Sequence, residues 1–170
     1  MGKHVSTQEG AGAHSRNQIV SGVKVLLNAI SDSMFAYDEE QKGIDFDIAL
    51  VCLSNEDLDR IISSIATLCN SDATASKETL AVILDHCYRT IPNLKKIPKY
   101  GNVYFQIIDR YYVNKLYDNI EDAIDDIDGA GSRATFFRRF NEACLQLHRI
   151  WFSYAPDYYR LVLNEIIQNL

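Results

Sequence analysis

The sequence predicts an all-α fold: a single-domain bundle of six or seven helices, mostly antiparallel. Apolar residues recur at steps of three or four along most of the chain, which is the spacing of a helix with one buried face. Glycine, proline or short polar stretches separate these segments, and none of them alternates apolar and polar residues as a half-buried strand does. The length of 170 residues, 47% of them hydrophobic, suits one domain.

The N-terminal part of the chain predicts an arm followed by a helix. Residues 1–14 are polar and glycine-rich, so we expect a disordered arm before a helical domain over residues 15–170. Ser15 and Gln18 form a capping-box pattern at the start of the first helix. The polar residues 38–43 should end that helix. Its apolar stripe comprises Ile19, Val23, Leu26, Ile30, Met34 and Tyr37.

The next segments predict three further helices. Residues 44–53 are a short apolar run that fits a buried helix or a strand, and we favour a helix because its neighbours are helical. Ser54 and Asp57 indicate the start of the following helix. Ser76 indicates the N-cap of the one after it, which Pro92 should end. The apolar stripes of these last two helices are Leu58, Ile61, Ile62, Ile65 and Leu68, then Leu80, Ile83 or Leu84, Cys87 and Ile91.

The longest periodic stretch runs from residue 105 to residue 127. We predict one helix of about seven turns there, closed by Gly129 and Gly131. Its apolar positions are Phe105, Ile108, Tyr112, Leu116, Ile120, Ala123 and Ile127.

Two helices follow at the C-terminal end. Ser132 indicates the N-cap of a helix with the most regular stripe in the chain, and Pro156 suits the first turn of the last helix. Trp151 is in phase with its stripe, so we expect it to be buried. The two stripes are Phe137, Phe140, Cys144, Leu147, Trp151 and Tyr154, then Tyr159, Leu163, Ile166 and Leu170.

The composition limits which cellular compartments and which classes of ligand fit this chain. The formal net charge of −6 at pH 7 disfavours nucleic acid as the main ligand. The four cysteines are far apart and fit small core residues in a reducing compartment. Residues 1–18 lack the apolar run of a secretory signal, and no stretch is apolar for the length of a membrane span. We therefore expect a soluble cytoplasmic protein.

The motifs favour a protein that is not an enzyme. The sequence has no phosphate-binding loop, dinucleotide fingerprint, zinc-protease motif or serine-hydrolase elbow. Cys144 and His148 are four apart on one predicted helix, and His86 and Cys87 could add ligands to a metal. Both cysteines fall on core stripes, however, so we predict neither a metal site nor a cofactor. An enzyme of an unidentified class is the least favoured alternative.

An acidic turn is the most unusual local feature. Five carboxylates lie towards the end of the predicted long helix, where the helix dipole favours cations instead. They are Glu121, Asp122 and the three residues of the turn itself, Asp125, Asp126 and Asp128. Either these carboxylates bind a cation or a basic partner, or they pair with nearby arginines. We favour the pairing, because three arginines begin the next helix. They are Arg133, Arg138 and Arg139.

Two short motifs suggest an alternative function. The run DIDGAG from Asp126 resembles the opening of an EF-hand calcium loop, and AYDEEQKGIDF from residue 36 resembles another. The first departs from the family at Ala130, the fifth position, and at Phe137, where the bidentate Glu belongs, so the resemblance implies at most a degenerate EF-hand. The N-terminus fits the N-myristoylation pattern with Gly2 as acceptor. A degenerate EF-hand-like or N-myristoylated regulatory adaptor is therefore the alternative, with membrane contact only if Gly2 is acylated.

Tyrosine pairs carry the leading functional prediction. Tyr111 is followed by Tyr112, and Tyr158 by Tyr159. Neighbours on a helix diverge by about 100°, so at least one residue of each pair should leave the core. Exposed tyrosine is enriched at interfaces. We predict a protein-protein interaction or assembly protein with Tyr111, Tyr158 and Tyr159 on an aromatic-rich surface, and with another protein or a second copy (a homo-oligomer) as partner.

Overall fold

The computed structural model describes residues 14–52, 56–154 and 156–169, and these residues form eight α-helices. The predicted all-α, single-domain fold is confirmed. Helix α1 lies at the centre of the core, in contact with α4, α7 and α8. The helices are α1 Arg16–Asp32, α2 Phe46–Cys52, α3 Glu56–Leu68, α4 Ala73–Thr90, α5 Gly101–Gln106, α6 Ile120–Asp126, α7 Arg133–Tyr154 and α8 Pro156–Gln168. None of these described helices is both long and apolar enough to cross a lipid bilayer.

Helix α1 begins as predicted but ends earlier. The Ser15 side chain accepts from the backbone N–H of Gln18, and the Gln18 side chain accepts from the backbone N–H of Ser15. The helix stops at Asp32 because Ser33 directs its backbone N–H and its hydroxyl to the last carbonyl oxygens of the helix. Met34 and Tyr37 were therefore wrongly placed on the α1 stripe.

A 3₁₀ turn, Met34–Ala36, and a short hairpin follow α1. Strand β1, Tyr37–Asp38, pairs antiparallel with strand β2, Gly43–Ile44. Asp38 holds the connecting turn, because its carboxylate accepts from the backbone N–H groups of Glu40 and Gln41. The hairpin leads into α2, so the predicted helix within residues 44–53 is confirmed for Phe46–Cys52. Ser54 lies outside the described residues.

Helix α4 begins one turn before the predicted cap. Asp72 is the N-cap: its carboxylate accepts from the backbone N–H of Ala75 at 2.7 Å. Ser76 lies inside the first turn, where it is buried and its hydroxyl donates to the carbonyl oxygen of Asp72. The expected core residues are confirmed: Leu80, Ile83, Leu84, Cys87 and Ile91 are buried.

The single long helix predicted for residues 105–127 is wrong. Helix α5 continues into a π-helix, Ile107–Val113, and residues 114–119 are irregular before α6 begins. The backbone and side-chain N–H groups of Asn114 both donate to the carbonyl oxygen of Asp109, and Asn119 then caps α6. This break raises the number of α-helices above the predicted six or seven.

The two C-terminal helices form as predicted, with one change of phase. Trp151 is fully buried, and its indole N–H donates to the carbonyl oxygen of Cys87 at 3.2 Å. Phe137 is 42% exposed, whereas Phe136 is fully buried. Phe136 occupies the core position because its ring packs edge-on against Tyr111, with 4.9 Å between the ring centroids.

Candidate functional site

A groove of about 490 Å³ lies between α4 and the start of α8. Two side chains in it are apolar and strongly exposed: Val82 is 69% exposed, and Tyr158 is 55% exposed. Large apolar side chains that share one concave surface indicate a binding site more strongly than scattered ones do. Helix α4 contributes Ala75, Glu78, Thr79, Val82, Ile83 and His86, and α8 contributes Tyr158.

The spacing of residues along α4 explains why the groove exists. Leu80, Ile83 and Leu84 turn one face of this helix into the core. A second face carries Ala75, Thr79 and Val82, again at helical steps of three or four, and it lines the groove. Helix α4 therefore has a second, partly apolar face that leads to the exposed Val82.

The groove has little polarity and a negative edge. The Thr79 hydroxyl donates to the carbonyl oxygen of Ala75 at 2.9 Å, so its hydrogen bond is made within α4. Glu78 is exposed, and it is the one charged side chain among the described residues that line the groove, apart from the titratable His86. An apolar surface beside a carboxylate suits an apolar segment that carries a basic residue.

The three predicted interface tyrosines do not form one surface. Tyr158 lies in the α4–α8 groove, whereas Tyr111 is half-buried in a different cavity beside Tyr112 and Tyr117. Tyr159 was wrongly placed at the surface, since it is only 1% exposed. Its hydroxyl lies 2.9 Å from Nδ1 of His148, and burial raises the pKa of its phenol far above the ordinary value.

The acidic turn is exposed, and its predicted pairing with arginines is only partly correct. Asp126 contacts Arg110 of the π-helix at 3.4 Å and accepts a hydrogen bond from Tyr117. Arg133 pairs with Glu121, a carboxylate of the same acidic run, at 3.0 Å, as predicted. The break at residues 114–119 explains why Asp126 contacts Arg110, because it brings the π-helix and α6 side by side.

The other charged side chains of the acidic turn and of the start of α7 face solvent or the backbone. Asp125 and Asp128 are exposed, and Arg138 is exposed as well. Arg139 donates to the carbonyl oxygen of Gly129 and lies 3.7 Å from the centroid of the Tyr100 ring. Across residues 14–52, 56–154 and 156–169, no group of three or more His, Cys, Asp or Glu side chains is placed to hold a metal ion.

The candidate metal ligands Cys87, Cys144 and His148 take part in the core and its hydrogen bonding. Cys87 and Cys144 are buried, and burial raises the pKa of the Cys144 thiol to about 12. His148 hydrogen-bonds to Tyr159.

Gly2, the predicted lipid acceptor, and most of the predicted arm lie outside the described residues. Only His14 of that arm is described, and its Nε2 lies 2.6 Å from Oδ1 of Asn164.

Sequence reasoning missed the α4 side of this groove. Val82 and Glu78 were not singled out, although the second stripe on α4 could have revealed them. No known protein family, curated protein or solved structure matches the chain. Any functional assignment therefore depends on the chain's own geometry.

Proposed function

We propose that this chain is a non-enzymatic adaptor that binds an amphipathic helix of another protein in the α4–α8 groove. The observation that carries this proposal is the presence of Val82 and Tyr158, both strongly exposed, in one concave surface. Burial of apolar surface stabilises a complex by about 25 cal/mol per Å² before the costs of association. Both side chains are available to contribute to a partner's binding in this way.

The length of the groove supports a helical occupant. From Ala75 to His86 the groove follows α4 for roughly 16 Å, at 1.5 Å per residue. That distance matches about three turns of a partner helix, which would present apolar residues at positions i, i+3 or i+4, and i+7. The volume of about 490 Å³ gives room for several such side chains.

The charge of the chain favours a basic partner over a second copy. Glu78 lies in the groove, and the formal net charge is −6 at pH 7. Two copies would bring like charges together, which disfavours association at low ionic strength. A helix with Lys or Arg beside its apolar face would instead place a cation near Glu78.

A pair of designed helical peptides tests this proposal on the full chain. Both carry the same apolar residues at helical spacing, one with Lys and Arg and the other with Glu and Asp on its polar face. Fluorescence anisotropy of the labelled peptides should show that the basic peptide binds at least about tenfold more tightly. Glu78→Gln should reduce this preference.

A matched pair of surface variants locates the binding site. Val82→Ser should weaken binding of the basic peptide by about tenfold or more. Leu116→Ser is the control, because Leu116 is 65% exposed but does not line the groove. Equal binding by wild type and Val82→Ser would overturn the proposal. A dimer in sedimentation velocity that Val82→Ser dissociates would replace the basic partner with a second copy.

A further inference from the structure

A second cavity, of about 260 Å³, lies where α1, α7 and α8 meet. It is separate from the α4–α8 groove and shares no lining residue with it. Part of its wall is apolar and part is nitrogen-rich. The polar wall comprises His14, His148, Arg160 and Asn164, and the apolar wall comprises Ile19, Phe152 and Leu163.

The buried Tyr159 sets the hydrogen bonding of His148. Its hydroxyl lies 2.9 Å from Nδ1 of His148, and burial raises its pKa far above the ordinary value, so the phenol keeps its proton. When this O–H donates to Nδ1, the neutral imidazole carries its own proton on Nε2. His148 then has an N–H donor to offer in the cavity that it lines.

The other polar groups make the cavity a positive site in an acidic chain. Arg160 lies with its guanidinium carbon 5.0 Å from the centroid of the Phe152 ring, and no described carboxylate forms a salt bridge with it. His14 points Nε2 at the amide oxygen of Asn164. No Asp or Glu is among the described residues that line this cavity.

We propose that this cavity binds a small monocarboxylate with an apolar body. The carboxylate would accept hydrogen bonds from Nε2–H of His148 and from the Arg160 guanidinium, which are the strong, charge-assisted kind. The apolar body would lie against Ile19 and Phe152. Inorganic phosphate could use the same donors but would leave the apolar wall uncovered, so a carboxylate with an aryl or alkyl group is the better match.

The charges around His148 make this binding depend on pH. Burial first, and then the positive charges of His14 and Arg149, hold the pKa of His148 below its ordinary value. Tyr159 and Arg160 face it from α8, and neither supplies a negative charge at neutral pH. A bound anion favours the protonated imidazole, so by linkage the carboxylate binds more tightly as the pH falls through the pKa of His148.

Phenylacetate and inorganic phosphate are suitable probes for the full chain. The Cε1–H signals of the histidines are followed by NMR during titration at about pH 5 and about pH 8. The lower value lies well below the ordinary histidine pKa because the pKa of His148 is lowered. We expect phenylacetate to shift the His148 signal and to bind roughly fivefold more tightly at the lower pH. Phosphate should bind more weakly than phenylacetate at both pH values.

Three variants separate the site from general attraction of anions. Arg160→Gln should weaken phenylacetate binding by about tenfold. Arg138→Gln should leave it unchanged, because Arg138 is an exposed cation on α7 that does not line the cavity. His148→Gln should reduce the pH dependence. Equal effects of Arg160→Gln and Arg138→Gln, or pH-independent binding by wild type, would overturn the proposal. The peptide experiments on the groove are unaffected by either result.

Discussion

Helix α7 and the stretch from Gly101 to Asp126 pack against each other in the core, but their backbones are held differently. Helix α7 is one continuous helix of 22 residues. Its neighbour consists of α5, the π-helix and α6, with an irregular connection before α6. Side chains supply hydrogen bonds to the backbone where the regular helical bonding stops. Asn114 and Ser31 donate to carbonyl oxygens of the π-helix, and Asn119 caps α6.

The difference shows that most positions of an apolar stripe can be buried although the helix is interrupted. Ile108, Ile120 and Ala123 are buried although the backbone between them is not one helix, whereas Leu116, in the irregular connection, is 65% exposed. A π-helix adds residues to each turn and shifts the helical phase of the residues after it. We therefore expect α7 to be sensitive to the loss of packed volume, and the broken stretch to be sensitive to changes in backbone conformation.

The largest effect is expected from Trp151→Ala in α7. The indole is fully buried and packs edge-on against Tyr159, with 5.9 Å between the ring centroids. Its removal should lower the free energy of unfolding by about 3–5 kcal/mol, measured by urea denaturation with circular dichroism. Phe137→Ala is the control on the same helix, because Phe137 is 42% exposed and should lose far less. Similar losses for both variants would contradict the role assigned to packing in α7.

Substitution by glycine should change the free energy of unfolding by a smaller amount, and with opposite sign in the broken stretch and in α7. Lys115 has φ +49°, a conformation that costs an L-residue about 1–2 kcal/mol and glycine little. Lys115→Gly should therefore raise the free energy of unfolding by up to about 1 kcal/mol, once the added entropy of the unfolded chain is subtracted. Arg138→Gly, in the regular part of α7, should lower it by about 1 kcal/mol. Thermal and urea melts that gave the same sign would refute the comparison.

The smallest effect concerns Asp109 in the π-helix. Burial raises the pKa of its carboxyl, against the lowering effects of Arg110, Lys95 and a hydrogen bond from Asn114. A carboxyl whose pKa is raised by folding contributes stability below its unfolded pKa, and this contribution is lost as the pH rises through the folded pKa. Wild type should therefore lose stability relative to Asp109→Asn between about pH 4 and about pH 6. Urea melts in which wild type gained over this range would disprove the assignment.

The helix caps and apolar stripes show which parts of the fold could be predicted from the sequence. The Ser15 and Gln18 pattern predicts the start of α1 correctly, since both residues needed for the capping box are local. Asp72 and Ser76 are both good N-cap residues, and only the packing of α4 decides between them by burying Ser76. Phe136 and Phe137 likewise fit the same spacing, and contact with Tyr111 selects Phe136.

The cavities were much less predictable than the helices. Tyr158 was expected at the surface and is exposed there, but the groove also depends on where α4 passes α8. His14 and His148 are far apart in the sequence, and the fold alone places both in one cavity. The fold also decides which of the two neighbouring tyrosines is exposed: Tyr158 lies at the surface and Tyr159 lies inside.

Trp151 also gives the molecule an intrinsic optical reporter. It is the only tryptophan in the sequence, and its ring contacts both Tyr159 of α8 and the Cys87 carbonyl of α4. The α4–α8 groove is formed by these same two helices, and Tyr159 bonds to His148 of the second cavity. A ligand that moves α8 against α4 would change the surroundings of the indole. Its emission wavelength and lifetime would then register binding in unlabelled protein.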